Sequence, residues 1–168
     1  MTSLAERLGH GPDDRLLIIN CDGFEDPYVV ALDTATGKTR WRRARRQPTS
    51  QAYSTPLVIR VGGQDQVVSV GASYATGLDA ATGREIWRVS YRDGFSNVPR
   101  PLFAHGLVFI ATGFQQPSLL AVRPDGTGDV TKTHVAWTLS RGVPLTPSPI
   151  IVGDELYVVS DHGIATCL

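Results

Sequence analysis

The chain has 168 residues with 16 basic and 16 acidic side chains, so its formal net charge of zero gives no overall electrostatic reason to bind nucleic acid or an anionic membrane. Charged residues make up only 19%, while 17 glycines and 11 prolines separate runs of Val, Ile and Tyr, which indicates a β-rich chain with many turns. No apolar run approaches the roughly 20 residues that span a bilayer, and residues 1–15 lack the apolar segment of a signal peptide.

In chain order, the sequence divides into four units at 1–47, 48–92, 93–140 and 141–168. Unit 1 predicts a strand within 13–23, and no apolar strand precedes it because residues 3–11 read SLAERLGHG. The strands predicted in unit 2 lie at 54–61, 66–71, 75–80 and 84–89. Those of unit 3 lie at 99–103, 107–113, 118–124 and 133–139, with a long turn at 125–129. Unit 4 repeats the pattern at 147–152, 156–161 and 163–168.

The three tryptophans mark the repeat, because Trp41, Trp87 and Trp137 each lie in the last strand of a unit. Four short strands per unit, joined by hairpin turns and repeated at intervals of 46 and 50 residues, are typical of the blades of a β-propeller. The helical period of 3.6 residues is absent. We therefore predict an all-β fold, a partial β-propeller of about three to three and a half four-stranded antiparallel blades in one domain over residues 1–168.

A short motif precedes the first two tryptophans: LDTATGKTRW at 32–41 and LDAATGREIW at 78–87. Glycine takes the positive φ of a tight hairpin, and Asp and Thr side chains bond the free amides of such a turn. The tryptophan on the outermost strand is expected to cover the seam to the next blade. We interpret the following residues as structural: Asp33, Thr36, Gly37, Asp79, Thr82 and Gly83, with Trp41, Trp87 and Trp137.

These two motifs resemble the tryptophan-docking repeat of the pyrroloquinoline-quinone (PQQ)-like propeller family, and the resemblance covers about residues 16–168. Unit 3 departs from it by lengthening the turn, but it keeps its tryptophan. The resemblance implies a propeller of seven or eight blades that is bacterial and periplasmic or otherwise exported. The family contains quinoprotein alcohol dehydrogenases and also non-enzymes, such as the propeller lipoprotein of the outer-membrane β-barrel assembly machinery, so it does not by itself decide function.

Quinone chemistry would require features that this sequence lacks. Similar enzymes use a bound Ca²⁺, an Asp base and often a disulfide between adjacent cysteines, whereas Cys21 and Cys167 are far apart. We read them as small buried strand residues without a disulfide. The spacing of Asp125, Thr127 and Asp129 resembles the start of a calcium loop, but the later Gly and Glu are missing and a plain turn is favoured. We therefore assign no catalytic residue and no metal ligand, and we favour no cofactor over PQQ or calcium.

The basic run RWRRARRQ at 40–47 has two interpretations. It could bind an anionic partner, or its arginines could protect the edge of an outer strand from aggregation. We favour edge protection, and we expect no nucleic-acid partner, because no aromatic side chains beyond Trp41 interleave with the arginines.

Propeller topology places the longer loops, which join the fourth strand of one unit to the next and the second strand to the third, on one face. Those loops are rich in aromatic residues and arginine, as binding surfaces are, while the opposite face has only tight turns. The candidate binding residues on the loop-rich side are Tyr53, Ser54, Tyr74, Asn97, Arg100, Arg141 and Thr146.

These observations favour a non-catalytic scaffold that presents its loop-rich face to a protein, a peptide or a small ligand. A fragment or degenerate relative of a PQQ-dependent alcohol dehydrogenase is one alternative, and a truncated product without a function of its own is another. Because so few blades cannot close a ring, we also expect self-association through the open blade edges.

Overall fold

The computed structural model describes residues 15–22, 26–45, 51–92 and 94–168. Within these residues the regular structure consists of β-strands in four sheets, numbered here as blades 1 to 4 in chain order, and contains no helix that could span a membrane. The all-β prediction is therefore confirmed. The expected lack of a strand before Leu16 falls on residues 1–14, which lie outside the described residues.

The strands of each blade follow one another in space and pair antiparallel. Blade 1 contains β1 (Leu16–Cys21), β2 (Tyr28–Asp33) and β3 (Thr39–Ala44). Blade 2 contains β4 (Leu57–Val61), β5 (Gln64–Val70), β6 (Tyr74–Asp79) and β7 (Glu85–Ser90). Blade 3 contains β8 (Leu102–Ala104), β9 (Leu107–Thr112), β10 (Ser118–Val122) and β12 (Val135–Leu139), with β11 (Gly128–Asp129) in the loop between the last two. Blade 4 contains β13 (Ile150–Val152), β14 (Glu155–Val159) and β15 (Ala165–Cys167).

The core lies in the seams between blades rather than within any one blade. Strand β5 shows why, since Val67 belongs to the apolar cluster shared with blade 1 and its neighbour Val68 to the cluster shared with blade 3. Both side chains are completely buried. Because alternate residues of a strand point to opposite faces, a blade that is covered on both faces needs an unbroken apolar run, which the sequence supplies there.

Each tryptophan lies opposite a small residue of the neighbouring strand in its own blade. Trp41 pairs with Ala31, Trp87 with Gly77 and Trp137 with Ala121, and a register shift follows each pair. A β-bulge adds one residue to one strand and bends it. A Cβ atom added to Gly77 would lie only 2.1 Å from Nε1 of Trp87, so the indole ring lies directly over the glycine.

The first seam is closed by Trp41, which is 8% exposed. Its indole N–H donates to the carbonyl of Ala80 at 2.9 Å, in the turn that follows β6 of blade 2. In the same turn, Oδ1 of Asp79 accepts from the amide of Thr82 at 2.9 Å and from its hydroxyl at 2.7 Å. Trp41 therefore docks on an Asp-x-x-Thr-Gly turn whose shape is fixed by its own side chains.

The turn of blade 1 has the same internal bonds, with Oδ1 of Asp33 accepting from the amide and the hydroxyl of Thr36 at 2.9 and 2.8 Å. These bonds hold the pKa of Asp33 below its ordinary value, with the Thr36 hydroxyl as the main cause. The two turns differ in what touches them. Gly83 lies against the Trp41 ring, whereas no heavy atom would lie within 4 Å of a Cβ at Gly37.

The long turn of unit 3 forms more than the plain hairpin turn that the sequence indicates. Strand β11 pairs in parallel with β7, the outermost strand of blade 2. The amide of Val130 donates to the carbonyl of Arg88 at 2.8 Å, and the Val130 side chain is completely buried. The insertion thus covers an otherwise open sheet edge and links blade 3 to blade 2.

Both cysteines lie on strands and are free thiols. Cys21 is partly buried, but Cys167 is exposed, which corrects the expectation that both are buried. Unlike the central strands, β15 has no neighbour on one side among the described residues, so its side chains remain accessible.

The two equivalent turns provide a matched test of tryptophan docking. Gly83 and Gly37 have φ of +72° and +69°, so alanine at either position carries the same backbone cost of about 1–2 kcal/mol. At position 83 the new Cβ would also lie 2.6 Å from the Trp41 ring. We expect Gly83→Ala to lower the free energy of unfolding by about 1–3 kcal/mol more than Gly37→Ala, measured by urea denaturation. Equal losses would show that Trp41 does not constrain the turn.

Candidate functional site

The loop-rich face comprises the described parts of loops 22–27, 45–56, 71–73, 91–101, 113–117, 140–149 and 160–164. Each of these loops joins the second strand of a blade to the third, or the last strand to the first strand of the next blade. The opposite side has short turns at 34–38, 62–63, 80–84, 105–106 and 153–154, and one long connection at 123–134 that contains β11. The loops of the loop-rich face are longer than these short turns in most cases, but the connection 123–134 corrects the prediction that the opposite face has only tight turns.

A buried ion pair anchors this face at the seam between blades 1 and 2. Nη1 of Arg45 donates to both carboxylate oxygens of Asp22, at 2.7 and 2.8 Å, and both side chains are only 4% exposed. Arg45 also donates to Ser69, and the Ser69 hydroxyl donates to Oδ1 of Asn20 at 2.7 Å. The contact of Nη1 with both carboxylate oxygens and these extra bonds satisfy the charges that burial would otherwise leave unpaired.

Three of the arginines in the basic run at 40–47 form ion pairs within the fold. Arg42 pairs with Asp26, Arg43 pairs with Glu85 of blade 2 at 2.8 Å, and Arg45 forms the buried pair described above. Neither of the two interpretations based on the sequence anticipated these pairs, because each carboxylate lies in another strand or loop. Arg46 lies outside the described residues.

Asn97 holds the loops at the next seam. Its Nδ2 donates to the carbonyl of Gly71 at 2.6 Å, its Oδ1 accepts from the amide of Gly113, and its own carbonyl accepts from the amide of Tyr53 at 2.8 Å. The hydroxyl of Tyr91 donates to the same Gly71 carbonyl at 2.7 Å, and burial raises the pKa of this phenol. Four loops are thereby tied together beneath the surface.

Three of the predicted binding residues are therefore buried rather than presented to solvent. Ser54, Tyr74 and Asn97 are 3%, 9% and 1% exposed. The hydroxyl of Ser54 donates to the carbonyl of Pro99 at 2.8 Å. The guanidinium carbon of Arg88 lies over the ring of Tyr74, 4.3 Å from the ring centroid. Sequence position placed these side chains near the loops, but the direction of each side chain depends on partners far along the chain.

The other predicted residues reach the surface. Tyr53 is 61% exposed, Arg141 and Thr146 are exposed, and Arg100 is partly buried with its amide donating to the Ser148 hydroxyl at 3.0 Å. The buried Nε of Arg100 has no hydrogen-bond partner among the described residues. The structure does not bring these four residues into one cluster of mutual contacts.

Exposed apolar side chains lie on three of the loops that Asn97 ties together. Tyr53 is bonded to Asn97 through the backbone, Val98 follows Asn97, and Phe114 follows Gly113, the other partner of Asn97. Val98 is 38% and Phe114 60% exposed, and the Phe114 ring contacts that of Phe95 at a centroid distance of 5.9 Å. We call Tyr53, Phe95, Val98 and Phe114 the aromatic patch.

Two recesses lie along the outer side of the same face. The larger, about 490 Å³, lies between blades 2 and 3, and the smaller, about 280 Å³, lies between blades 3 and 4. They share Pro117 and Ser140 in their linings and are therefore adjacent. We call them together the seam groove. Sequence reasoning missed this feature, although the five-residue loop 113–117, with its two glutamines, was visible.

Asp161 orders the loop next to the smaller recess. Its carboxylate accepts from the amide of Leu145 at 2.7 Å and from the hydroxyl of Thr146. The Thr146 hydroxyl is the main cause of a pKa for Asp161 below its ordinary value. Thr146, predicted to bind a ligand, thus also positions a loop.

The described residues do not fit the metal site that a quinone cofactor would require. They contain no group of three or more His, Cys, Asp or Glu side chains that could hold an ion. In the loop at 125–129, whose spacing resembles the start of a calcium loop, Oδ1 of Asp129 instead accepts from the amide of Thr131 at 2.9 Å.

A family model described as outer membrane protein assembly factor BamB matches residues 25–168. BamB from Moraxella catarrhalis is similar with a TM-score of 0.72 and 18% identity, over 96% of this chain and 48% of that one. A quinohemoprotein alcohol dehydrogenase from Pseudomonas putida HK5 is similar with a TM-score of 0.58 and 14% identity, over 92% of this chain and 31% of that one.

The computationally designed Ika4 protein is also similar, with a TM-score of 0.58 and 11% identity over 96% of this chain and 88% of that one. No curated protein matches the chain. The chain spans about half the length of the BamB structure. These likenesses confirm the partial PQQ-like β-propeller, and at such identities the solved structures show the fold alone.

The bond between Thr146 and Asp161 predicts a specific effect of pH. A depressed carboxyl pKa adds stability above the pKa of the unfolded chain, near 3.9, and this is lost as the pH falls through the folded value. We expect Thr146→Val to raise the pKa of Asp161 toward its ordinary value. Thr146→Ser keeps the hydroxyl and should leave the pKa low. Carboxyl ¹³C titration by NMR measures both, and an unchanged pKa in Thr146→Val would rule out the assigned cause.

Proposed function

The chain belongs to the BamB family of PQQ-like β-propellers, and we propose that it is a non-catalytic binding module whose loop-rich face engages a protein partner. The aromatic patch carries this proposal. Tyr53 and Phe114 are each about three-fifths exposed, although large aromatic side chains gain most from burial. Clustered exposed aromatics are typical of the centres of protein interfaces.

The backbone beneath the patch supports the same role. Asn97 fixes the loops that carry Tyr53 and Phe114, because its carbonyl accepts from the amide of Tyr53 and its Oδ1 accepts from the amide of Gly113. A surface that is already ordered loses little conformational entropy when a partner binds. In contrast, the described turns of blades 1 to 3 on the opposite side expose no large apolar side chain.

The matched family is named for outer-membrane protein assembly, which supports placing this chain in the bacterial cell envelope, outside the cytoplasm. In that compartment its partner would be another envelope protein. The proposed role involves neither a quinone nor a metal, because the face offers exposed aromatic side chains for contact rather than a cluster of metal ligands.

A photo-crosslinking experiment tests the proposal. We expect p-benzoylphenylalanine at position 114 to form a discrete covalent adduct in bacteria that express the chain. The same residue at position 38, an exposed lysine in a turn of the opposite side, is the control and should form none. Adducts of equal yield at both positions, or none at position 114, would contradict a role for the loop-rich face.

We further propose that the chain associates with itself through blade 4. On β13, Ile151 packs into the seam with blade 3, so the alternate residues Ile150 and Val152 point away and are each 58% exposed. The corresponding faces of blades 1 to 3 are each covered by the next blade along the chain. Because the chain spans 48% of BamB, two copies would supply about as many blades as one BamB chain.

Solution mass measured by light scattering during size exclusion tests this association. We expect a dimer for the chain and a concentration-dependent shift toward monomer for Val152→Lys, because a lysine in an apolar contact is costly to bury. Thr127→Lys, which adds the same charge to an exposed turn, should leave the dimer intact. A monomer at all concentrations would exclude self-association.

A further inference from the structure

The seam groove has two chemically different halves. The half between blades 2 and 3 has a mainly polar lining with no carboxylate among its described residues, the polar members being Tyr91, Arg92, Thr112, Gln115, Gln116, Ser118, Thr138 and Ser140. The half between blades 3 and 4 is mostly apolar, with Pro117, Val143, Leu145 and Ile164 in its lining, and its polar members are Ser140, Ser160, Asp161 and His162. Ile164 lines this recess and is 63% exposed, so its side chain is accessible to a ligand that enters the recess.

Arg92 gives the polar half its charge. It is exposed and makes no ion pair or hydrogen bond with any other described residue. By contrast, the guanidinium of Arg88 nearby on β7 is held by Glu85 at 2.9 Å. A guanidinium has five donors and no acceptor, and its best partner is a carboxylate, which it binds through two parallel bonds.

The charge of the surroundings favours an anionic ligand. On the described loops of blades 2 to 4 the arginines are Arg92, Arg100 and Arg141, and the one carboxylate is Asp161, which is engaged by Leu145 and Thr146. Asp93 lies outside the described residues and is not counted. The opposite side of the same blades carries carboxylates beside its arginines, at 65 and 79 near the ends of β5 and β6 and at 125, 129 and 154.

The shape favours an extended ligand. The two halves lie at successive seams, so a ligand that fills both must cross the outer part of blade 3. An extended peptide does this at about 3.3 Å per residue.

From these observations we propose that the seam groove binds an extended peptide segment in which acidic residues lie beside apolar ones. The acidic side chains bind Arg92 and the amide and hydroxyl donors around it. The apolar side chains cover Ile164 and Val143 in the other half. The inference rests on the proposed function and specifies the chemistry of the partner segment.

Chemical-shift mapping on the ¹⁵N-labelled chain tests the inference with a defined probe, the peptide acetyl-Glu-Asp-Gly-Leu-Val-amide. We expect saturable shifts at the amides of Arg92, Gln115, Gln116 and Ile164. The neutral analogue acetyl-Gln-Asn-Gly-Leu-Val-amide should bind about tenfold more weakly, because it loses the charge-assisted bonds.

Two charge-reversal variants give a matched comparison. Arg92→Glu should weaken binding of the acidic peptide by about tenfold or more, whereas Arg84→Glu, an exposed arginine in a turn of the opposite side, should change it less than about twofold. Ile164→Ser should weaken binding of both peptides, because it removes the apolar contact in the other half. Equal affinity of Arg92→Glu and the parent chain would overturn the proposal.

Other outcomes separate this inference from the proposed function. Saturable shifts confined to the aromatic patch would overturn the groove and leave the loop-rich face as the binding surface. Tighter binding of oligo(dT) than of the peptide at the groove residues would show a polyanion site and overturn the peptide assignment. An absence of shifts across the whole face would overturn the groove inference and leave the proposed function to be decided by the crosslinking result at position 114.

Discussion

The indole of Trp41 lies between two blades, and the order of the first seam depends on it. No blade of this chain can bury both faces alone, so each must be held against the next at a fixed distance and angle. Trp41 does so with one hydrogen bond to Ala80 and with ring contact on Gly83. The bond satisfies the single polar atom of a large apolar side chain, so the ring is buried without an unpaired donor.

This constraint is transmitted from the turn side of the propeller to the loop-rich face. Once the seams are fixed on one side, the loops at the other ends of the same strands meet at fixed positions. Buried polar groups then link them, as Arg45 does with Asp22 and Asn97 does with Gly71 and Gly113. Buried polar networks of this kind favour one arrangement because a displaced loop would leave donors and acceptors unpaired. The exposed aromatic patch is thus held by a rigid base.

Much of the fold follows from local patterns in the sequence. The Asp-x-x-Thr-Gly turns depend only on residues within five positions, and both form the predicted side-chain bonds. Small residues opposite the tryptophans, at Ala31, Gly77 and Ala121, were a further signal that pattern reading did not use. Each small residue can be matched to its tryptophan only when the strands are paired. The pairing within a hairpin follows from the sequence once the turn is assigned.

The unpredicted features depend on contacts between distant parts of the chain. The indole of Trp87 donates to Gln66 at 2.8 Å within its own blade, and the amide of Gln66 donates in turn to the carbonyl of Pro124 in blade 3. The pairing of β11 with β7 and the burial of Asn97 have the same origin. Composition can show that a loop is polar or aromatic, but it cannot show which polar group is satisfied internally and which remains for a ligand.

The geometry of a propeller separates the two interactions proposed for this chain. The proposed blade-to-blade association would use the flat side of blade 4, where Ile150 and Val152 are exposed, whereas the aromatic patch and the seam groove lie where the strands end. Association of two copies would therefore leave both loop-rich faces open and place them on one assembly. A partner with two suitable segments would then bind the second site intramolecularly, and its avidity would exceed the affinity of either site. A groove of modest affinity is sufficient for stable assembly in that arrangement.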